Sequence, residues 1–394
     1  MNNPVLLRSN PQPYQAALLQ REQDEQLRRL RSCRPVGPVE IAIDDRHLIN
    51  FASNDYLGLS QHPFLKERAI EYVEKYGVGA PASRLLSGNL DCYQEIETKL
   101  ARLKGKKAAL LFASGFQANV TLIAALAGKE SVLAADRLNH RSLLEGMQLS
   151  GARWFRYQHN DLSDLTARFQ RPEWESKPWR WIVTESIFSM DGDCVDVEGL
   201  CATAAATQSQ IYIDEAHATG VAGKNGMGLA AGVDAVDLSM GTFGKGFGVF
   251  GAYVACSQVM KDYLINFCSG LIYSTALPPS VLGAIDAALD LVPGMESERH
   301  KLRKLSQFLR DEAARLGFDT AGSQSQIVPL VVGSETKARE LAEYLEEKGF
   351  YAPAIRPPTV AAGASRVRVS LSAQHSEAQV EALVAALLKW KQTQ

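Results

Sequence analysis

No C-x-x-C pair and no zinc-ligand spacing links the six cysteines of this 394-residue chain (Cys33, Cys92, Cys194, Cys201, Cys256 and Cys268). Thiols scattered through a chain of this size argue against a disulfide framework and for a reducing cytoplasm. No segment approaches the roughly 20 apolar residues of a membrane-spanning helix. The start, MNNPVLLRSNPQPYQ, lacks a basic head followed by an apolar run, so no signal peptide is expected. Charge of one sign is also scarce: 42 Lys+Arg against 44 Asp+Glu give a net −2, which favours neither nucleic acid nor an anionic membrane as partner. No G-x-x-x-x-G-K-[ST] loop occurs, so DEAH at 214–217 is not a helicase box. What remains is a soluble globular composition, 46% hydrophobic and 22% charged, long enough for two domains.

Residues 14–34 are rich in helix formers and are closed off by Pro35, Gly37 and Pro38, predicting an N-terminal helical segment over 1–45 that carries Arg28. A large unit follows over 46–292. Its helices are expected at 66–77, 91–105 (Asp91 as N-cap), 115–127, 141–149, 197–208 and 278–292. Buried strands are read in AALLFAS, SVLAAD, ARWFRY, RWIVTES, QIYIDEA and AVDLSM. This alternation predicts an α/β fold with a mostly parallel sheet covered on both faces. Residues 293–394 pair three helices with the strands QIVPLVVG and RVRVSLS, an α+β unit.

In open α/β sheets ligands collect at the carboxyl ends of strands. Five such ends carry polar or glycine-bearing segments: SGF, DRLNH, TESIFSMDGD, DEAH and TFGKG. Taken singly each has a plain structural reading. Ser114 and Gly115 start a helix that suits an anion, or Ser114 is an ordinary N-cap. Asp214 and His217 resemble two metal ligands with no third at a recognisable spacing, so no metal is expected. His140 and Ser189 read as surface or turn residues, and Arg356 in AIRPPTV as a rim charge. Lys245 sits in GTFGKGFGVFG, a run with five glycines. It is either a loop lysine or one held by a tight backbone turn. The G-x-G-x-x-A matches at 77–82 and 226–231 lack a strand before and a helix after, and are set aside.

SNDYLGLS, SGFQAN, ADRLNHRSLLEG, HND, TESIFSMDGD, DEAHATGVAG, TFGKGFGVFGA, IYSTALPP and AIRPPTV together resemble, in order over about residues 28–371, the motifs of the α-oxoamine synthases. These are pyridoxal-phosphate (PLP) enzymes of fold type I. The resemblance implies Lys245 as the Schiff-base lysine, Asp214 on the pyridine nitrogen, His217 on the phenolic oxygen and His140 on the ring face, with Ser189 also in the pocket. It implies Ser114, Gly115, Phe116 and Thr242 at the phosphate. Ser274 and Thr275 would reach the phosphate of the other subunit of a homodimer. Asn54 and Arg368, with His140, would hold the amino-acid carboxylate, and Arg28, Arg356 and Thr359 would serve the acyl substrate.

The implied reaction is a decarboxylative condensation of an amino acid with an acyl thioester. IRPPTV points to L-alanine and a pimeloyl group on CoA or a carrier protein, as in the biotin pathway; a member joining glycine or serine to another acyl-CoA is the alternative. Two departures from the family pattern, Pro81 in GAPASRLLSGN and Ala361 after RPPTV, fall where acyl recognition is decided.

Overall fold

The computed structural model describes residues 12–24, 26–174 and 177–393, so the N-terminal stretch read for a leader lies, up to residue 11, outside the described residues. Seven strands form the central sheet: β4 (Ala108–Phe112), β5 (Ser131–Asp136), β6 (Arg153–Tyr157), β7 (Trp179–Glu185), β8 (Gln210–Asp214), β9 (Leu238–Thr242) and β10 (Ala252–Cys256). Their order is β4-β10-β9-β8-β7-β5-β6, and only β10 runs antiparallel to its neighbours. Alternate residues feed two different cores: Leu133, Val183 and Tyr212 face one, Val132, Ile182 and Ile213 the other. Burial on both faces explains why these strands read as continuous apolar runs. The six parallel strands therefore present their carboxyl ends along one edge. The 252–256 strand and the helices Leu162–Phe169 and Gln258–Phe267 were not expected from the sequence.

The C-terminal part is α+β as expected. Strands β11 (Ile327–Gly333), β13 (Ala354–Ile355) and β14 (Ser365–Ser370) form an antiparallel sheet in the order β11-β14-β13. Helices Glu296–Arg315, Glu335–Glu347 and Glu377–Gln392 accompany it, the last opened by a capping box between Ser376 and Gln379.

The N-terminal segment differs from expectation in its helix, which spans Gln12–Gln23 only, and in β1 (Cys33–Gly37). β2 (Glu40–Ile43) and β3 (Arg46–Asn50) fall on EIAI and HLINFAS, runs that read as short strands in the sequence, and β3 pairs in parallel with β12 (Phe350–Tyr351). The run QLRRLR has no apolar face to bury, and Leu30 is fully exposed. Its arginines find tertiary partners instead: Arg31 pairs with Glu346 and Asp44, both at 2.7 Å. Arg28 accordingly lies in a segment without regular secondary structure, not on a helix. Asp91 stands at the N-cap position as expected, but its side chain makes no capping bond and accepts from the Tyr76 hydroxyl instead. We propose a division near residue 292, with 33–50 assigned to the C-terminal unit by the β3–β12 pairing. Among the described residues no helix is long and apolar enough to cross a membrane.

The loop after β7 ties the two units together. Arg368 Nε donates to the Ser189 carbonyl at 2.6 Å, Arg366 pairs with Asp191, and Gln324 N donates to the Gly192 carbonyl at 3.0 Å. On its other side Asp193 meets His159 Nε2 at 2.8 Å, while His159 Nδ1 meets Asp136 at 2.9 Å. His159, Asp191 and Asp193 bring ligand atoms within 4.8 Å of one another, but these contacts already neutralise them internally.

Burial opposes charge on His159, yet the two carboxylates outweigh it and raise its pKa from 6.5 to about 10. A pKa raised on folding stabilises below the unfolded value and ceases to do so as pH rises through the folded one. The His159 contribution is therefore complete below about pH 6.5 and lost toward pH 10. The gap in urea midpoint between the unsubstituted protein and His159→Gln should be widest at acidic to neutral pH and close toward pH 10; a constant gap refutes the assignment.

Candidate active site

The glycines around Lys245 are there because the loop is packed. A Cβ on Gly246 would lie 2.5 Å from the Thr219 carbonyl oxygen. Gly248 has φ +65°, and a Cβ there would lie 2.5 Å from Ser60 N. Both positions exclude larger residues by close backbone approach, and the second also by its left-handed conformation. The flexible-loop reading of Lys245 is thereby removed.

Lys245 projects into a cleft of about 230 Å³ at the carboxyl edge of the sheet, lined also by Gly115, Phe116, His140, Asp214, His217 and Thr242. Its Nζ lies 2.8 Å from His217 Nε2, and His217 Nδ1 lies 2.6 Å from the Tyr56 hydroxyl. Tyr56 reaches Asn54 Oδ1 at 3.1 Å, and the Arg368 guanidinium reaches the same oxygen at 3.4 Å. With Lys245 as ammonium, the chain runs one way: Nζ donates to Nε2, Nδ1–H to the Tyr56 oxygen, and the Tyr56 hydroxyl to Asn54. Burial, then Lys245, Arg368 and His140, hold the His217 pKa well below 6.5, so the ring is neutral and this tautomer is consistent.

Burial also lowers the Lys245 pKa, to about 8; Asp214 and Glu185 oppose the shift and Arg368 adds to it. Asp214, at the end of β8 and 4% exposed, accepts from Asn119 Nδ2 at 2.7 Å and from Ala216 N at 2.8 Å. Glu185, at the end of β7, is buried and accepts from His140 N at 2.6 Å. Burial, and next the Asp214 charge, raise its pKa well above the ordinary value.

At helix Gly115–Leu126 the Ser114 side chain accepts from Gln117 N at 3.2 Å and its carbonyl from Ala118 N. The N–H groups of Gly115 and Phe116 keep no intrahelical acceptor and suit an anion. Thr242 Oγ1 donates to the Gly251 carbonyl at 2.8 Å and accepts from Gly244 N.

Ser189 is buried and meets Arg368 through its carbonyl, not its hydroxyl. Arg28 and Thr359 meet each other, Nη2 to Oγ1 at 3.0 Å, and Arg356 is half-buried at the start of the same turn. Ser274 and Thr275 line a different hollow, beside Arg84 and Tyr93, away from the Lys245 cleft. Sequence reasoning assigned no role to Tyr56, Asn119, Glu185 or Gln326, the last of which donates to the His217 carbonyl at 2.9 Å. The first three stand inside the quoted segments SNDYLGLS, SGFQAN and TESIFSMDGD, where their positions were the signal.

The aminotransferase class I and II family matches residues 46–387. The chain is 50% identical, over 89% of its length and 90% of the relative's, to the 8-amino-7-oxononanoate synthase of Gluconacetobacter diazotrophicus. Among solved structures it resembles one described as SPT with PLP (TM-score 0.91, 26% identity, 98% and 99% of the two chains). It also resembles the 8-amino-7-oxononanoate synthase of Francisella tularensis (TM-score 0.77, 27% identity, 88% and 98%). The chain belongs to the aminotransferase class I and II family of fold type I PLP enzymes. Within it the chain stands with the α-oxoamine synthases. The site fits the cofactor by its donor set: a buried carboxylate, a lysine of depressed pKa and a helix N-terminus with unpaired N–H groups share one cleft.

Proposed function

We propose that the chain condenses L-alanine with a pimeloyl thioester, on CoA or a carrier protein, to give 8-amino-7-oxononanoate, carbon dioxide and free thiol in biotin biosynthesis. The observation that carries this reading is the convergence of Lys245, His217 and Asp214 on one cleft beside the helix start at Gly115, in a chain half identical to a synthase of that name.

When bound, PLP supplies an electrophilic carbon for an amine and a ring that accepts the electrons left at the substrate Cα. Asp214 would keep the pyridine nitrogen protonated, His217 would serve the phenolic oxygen and His140 the ring face, with Ser189 a further residue of the pocket. The Gly115 and Phe116 N–H groups, at the helix start that Ser114 caps, would hold the phosphate. Thr242 joins them once its hydroxyl turns from the Gly251 carbonyl. Lys245 would hold the cofactor and, once freed by the amine of alanine, would take the Cα proton. A pKa of about 8, against the ordinary 10.5, raises the neutral fraction of its Nζ near physiological pH, as a base requires. The Cα then bonds to the thioester carbonyl carbon, the C–S bond breaks, carbon dioxide leaves, and Lys245 returns a proton to Cα. Arg368 and Asn54 hold the alanine carboxylate, while Arg28, Arg356 and Thr359 shape the acyl end. Ser274 and Thr275 serve the cofactor of a second copy, which makes the working unit a homodimer.

The likeness to SPT favours a second reading, an α-oxoamine synthase for another amino acid and acyl chain. A panel of alanine, glycine and serine against acyl-CoAs, read by product mass, decides between them. The first reading expects alanine with pimeloyl-CoA to be turned over fastest, and a faster serine or glycine reaction overturns it.

A pimeloyl chain ends in a carboxylate, which a planar guanidinium holds in two parallel hydrogen bonds. Arg356→Ala should lower kcat/KM for pimeloyl thioester by about 1–3 kcal/mol more than for an uncharged acyl chain of equal length. Equal losses on both chains would mean that Arg356 shapes the site without reading the carboxylate.

A further inference from the structure

Asn119 lies one turn into helix Gly115–Leu126 and is 2% exposed, and both ends of its amide are engaged. Its Oδ1 accepts from the Tyr212 hydroxyl at 2.7 Å. Its Nδ2 donates to Asp214 Oδ2 at 2.7 Å and to Ser142 Oγ at 2.9 Å, so both amide hydrogens are used. The opposite orientation would set the amide oxygen against the Asp214 carboxylate, acceptor against acceptor, so chemistry selects the one described. Ser142 Oγ, having accepted from Asn119, has its own hydrogen for His140 Nδ1, 2.8 Å away. Ser142 N points at the same nitrogen from 3.3 Å. Two donors on Nδ1 leave no room for a proton there, which places the ring hydrogen on Nε2.

We propose that Asn119 is a positioning residue that, through one amide, fixes the Asp214 carboxylate and the tautomer of His140 together. The inference rests on the assignment of those two residues to the cofactor ring. The charged groups facing His140 are Asp214, Glu145 and Lys245, with Glu185 on its backbone N–H. Burial lowers its pKa, Asp214 and Glu145 oppose, and Lys245 adds to the lowering, in keeping with a neutral ring.

The test labels the histidines with ¹⁵N in the full chain, with and without PLP, and assigns His140 by the signal lost in His140→Gln. The unsubstituted protein should show His140 with its proton on Nε2 near neutral pH. Ser142→Ala should mix the two tautomers while PLP dissociation changes less than about twofold. Asn119→Ala should mix them and also weaken PLP by on the order of ten- to a hundredfold, the scale of a hydrogen bond to a charged group. Tyr212→Phe, a milder change, should weaken PLP by a few-fold and keeps the test decisive if Asn119→Ala does not fold.

A proton on Nδ1, an unmoved tautomer in Ser142→Ala, or unchanged PLP affinity in the Asn119→Ala and Tyr212→Phe proteins overturns the inference. A protein that takes up no PLP overturns the cofactor assignment instead, and the tautomer in the PLP-free protein still decides the Asn119–Ser142–His140 link.

Discussion

Lys245→Ala should take up PLP without forming a borohydride-fixed label and should lose turnover by at least about 10⁴-fold, because the proposed mechanism makes the same Nζ both the attachment point and the base. The fold should survive. Burial works against the charge on Lys245, which is why its pKa falls to about 8, so removing the ammonium relieves a cost as well as a contact with His217. The change in stability is expected within about 1 kcal/mol. Borohydride treatment of the unsubstituted protein, followed by peptide mass mapping, is the direct measurement. A pyridoxyl group on any other lysine sinks the assignment, whatever the activity of the variant.

How much of this was legible in the sequence depended on which force fixed each part. The inner parallel strands β5, β7 and β8 were legible because both their faces are buried, which gives SVLAAD, WIVTE and QIYID the apolar centres VLAA, WIV and IYI. The carboxyl edge of the sheet is where the cleft around Lys245 lies. The N-terminal segment misled because nothing local decides it: QLRRLR has helix-forming residues, but Arg28 and Arg31 are placed by Thr359 and Glu346, more than 300 residues away. Strand 252–256 was hidden behind the glycine run that precedes it, and its antiparallel pairing with both β4 and β9 is a tertiary fact. Within the site, residues with obvious chemistry stood out, while Asn119 and Tyr56 did not. Their importance lies in which atoms they join, and hydrogen-bond partners distant in sequence leave no periodic trace. Glu185 is the sharpest case, since only its burial beside Asp214 distinguishes it from a solvated carboxylate.

Asp214→Asn is the substitution that most cleanly separates holding the cofactor from using it. The proposed phosphate cradle at Gly115 and Phe116 and the proposed anchor Lys245 stay in place, so PLP should still bind and still be fixed by borohydride. Carbanion formation should fail, because a neutral amide cannot keep the pyridine nitrogen protonated, and preorganised charge of this kind is worth on the order of 10²–10³ in rate per donor or more when removed from a buried site. The surroundings sharpen the effect. Both oxygens of Asp214 accept hydrogen bonds, one from Asn119 Nδ2 at 2.7 Å and one from Ala216 N at 2.8 Å. An amide at this position must turn its NH₂ toward one of those donors, losing that bond and setting donor against donor. If it faces Asn119, the amide there is pushed from Tyr212 and Ser142 as well. The expected result is a fall in kcat of several powers of ten, with PLP affinity reduced far less. Single-turnover exchange of the alanine Cα hydrogen for deuterium measures the proton-removal step without the acyl substrate and should fall in parallel. Undiminished exchange in the asparagine variant would remove Asp214 from the chemistry and leave it a structural carboxylate at the end of β8.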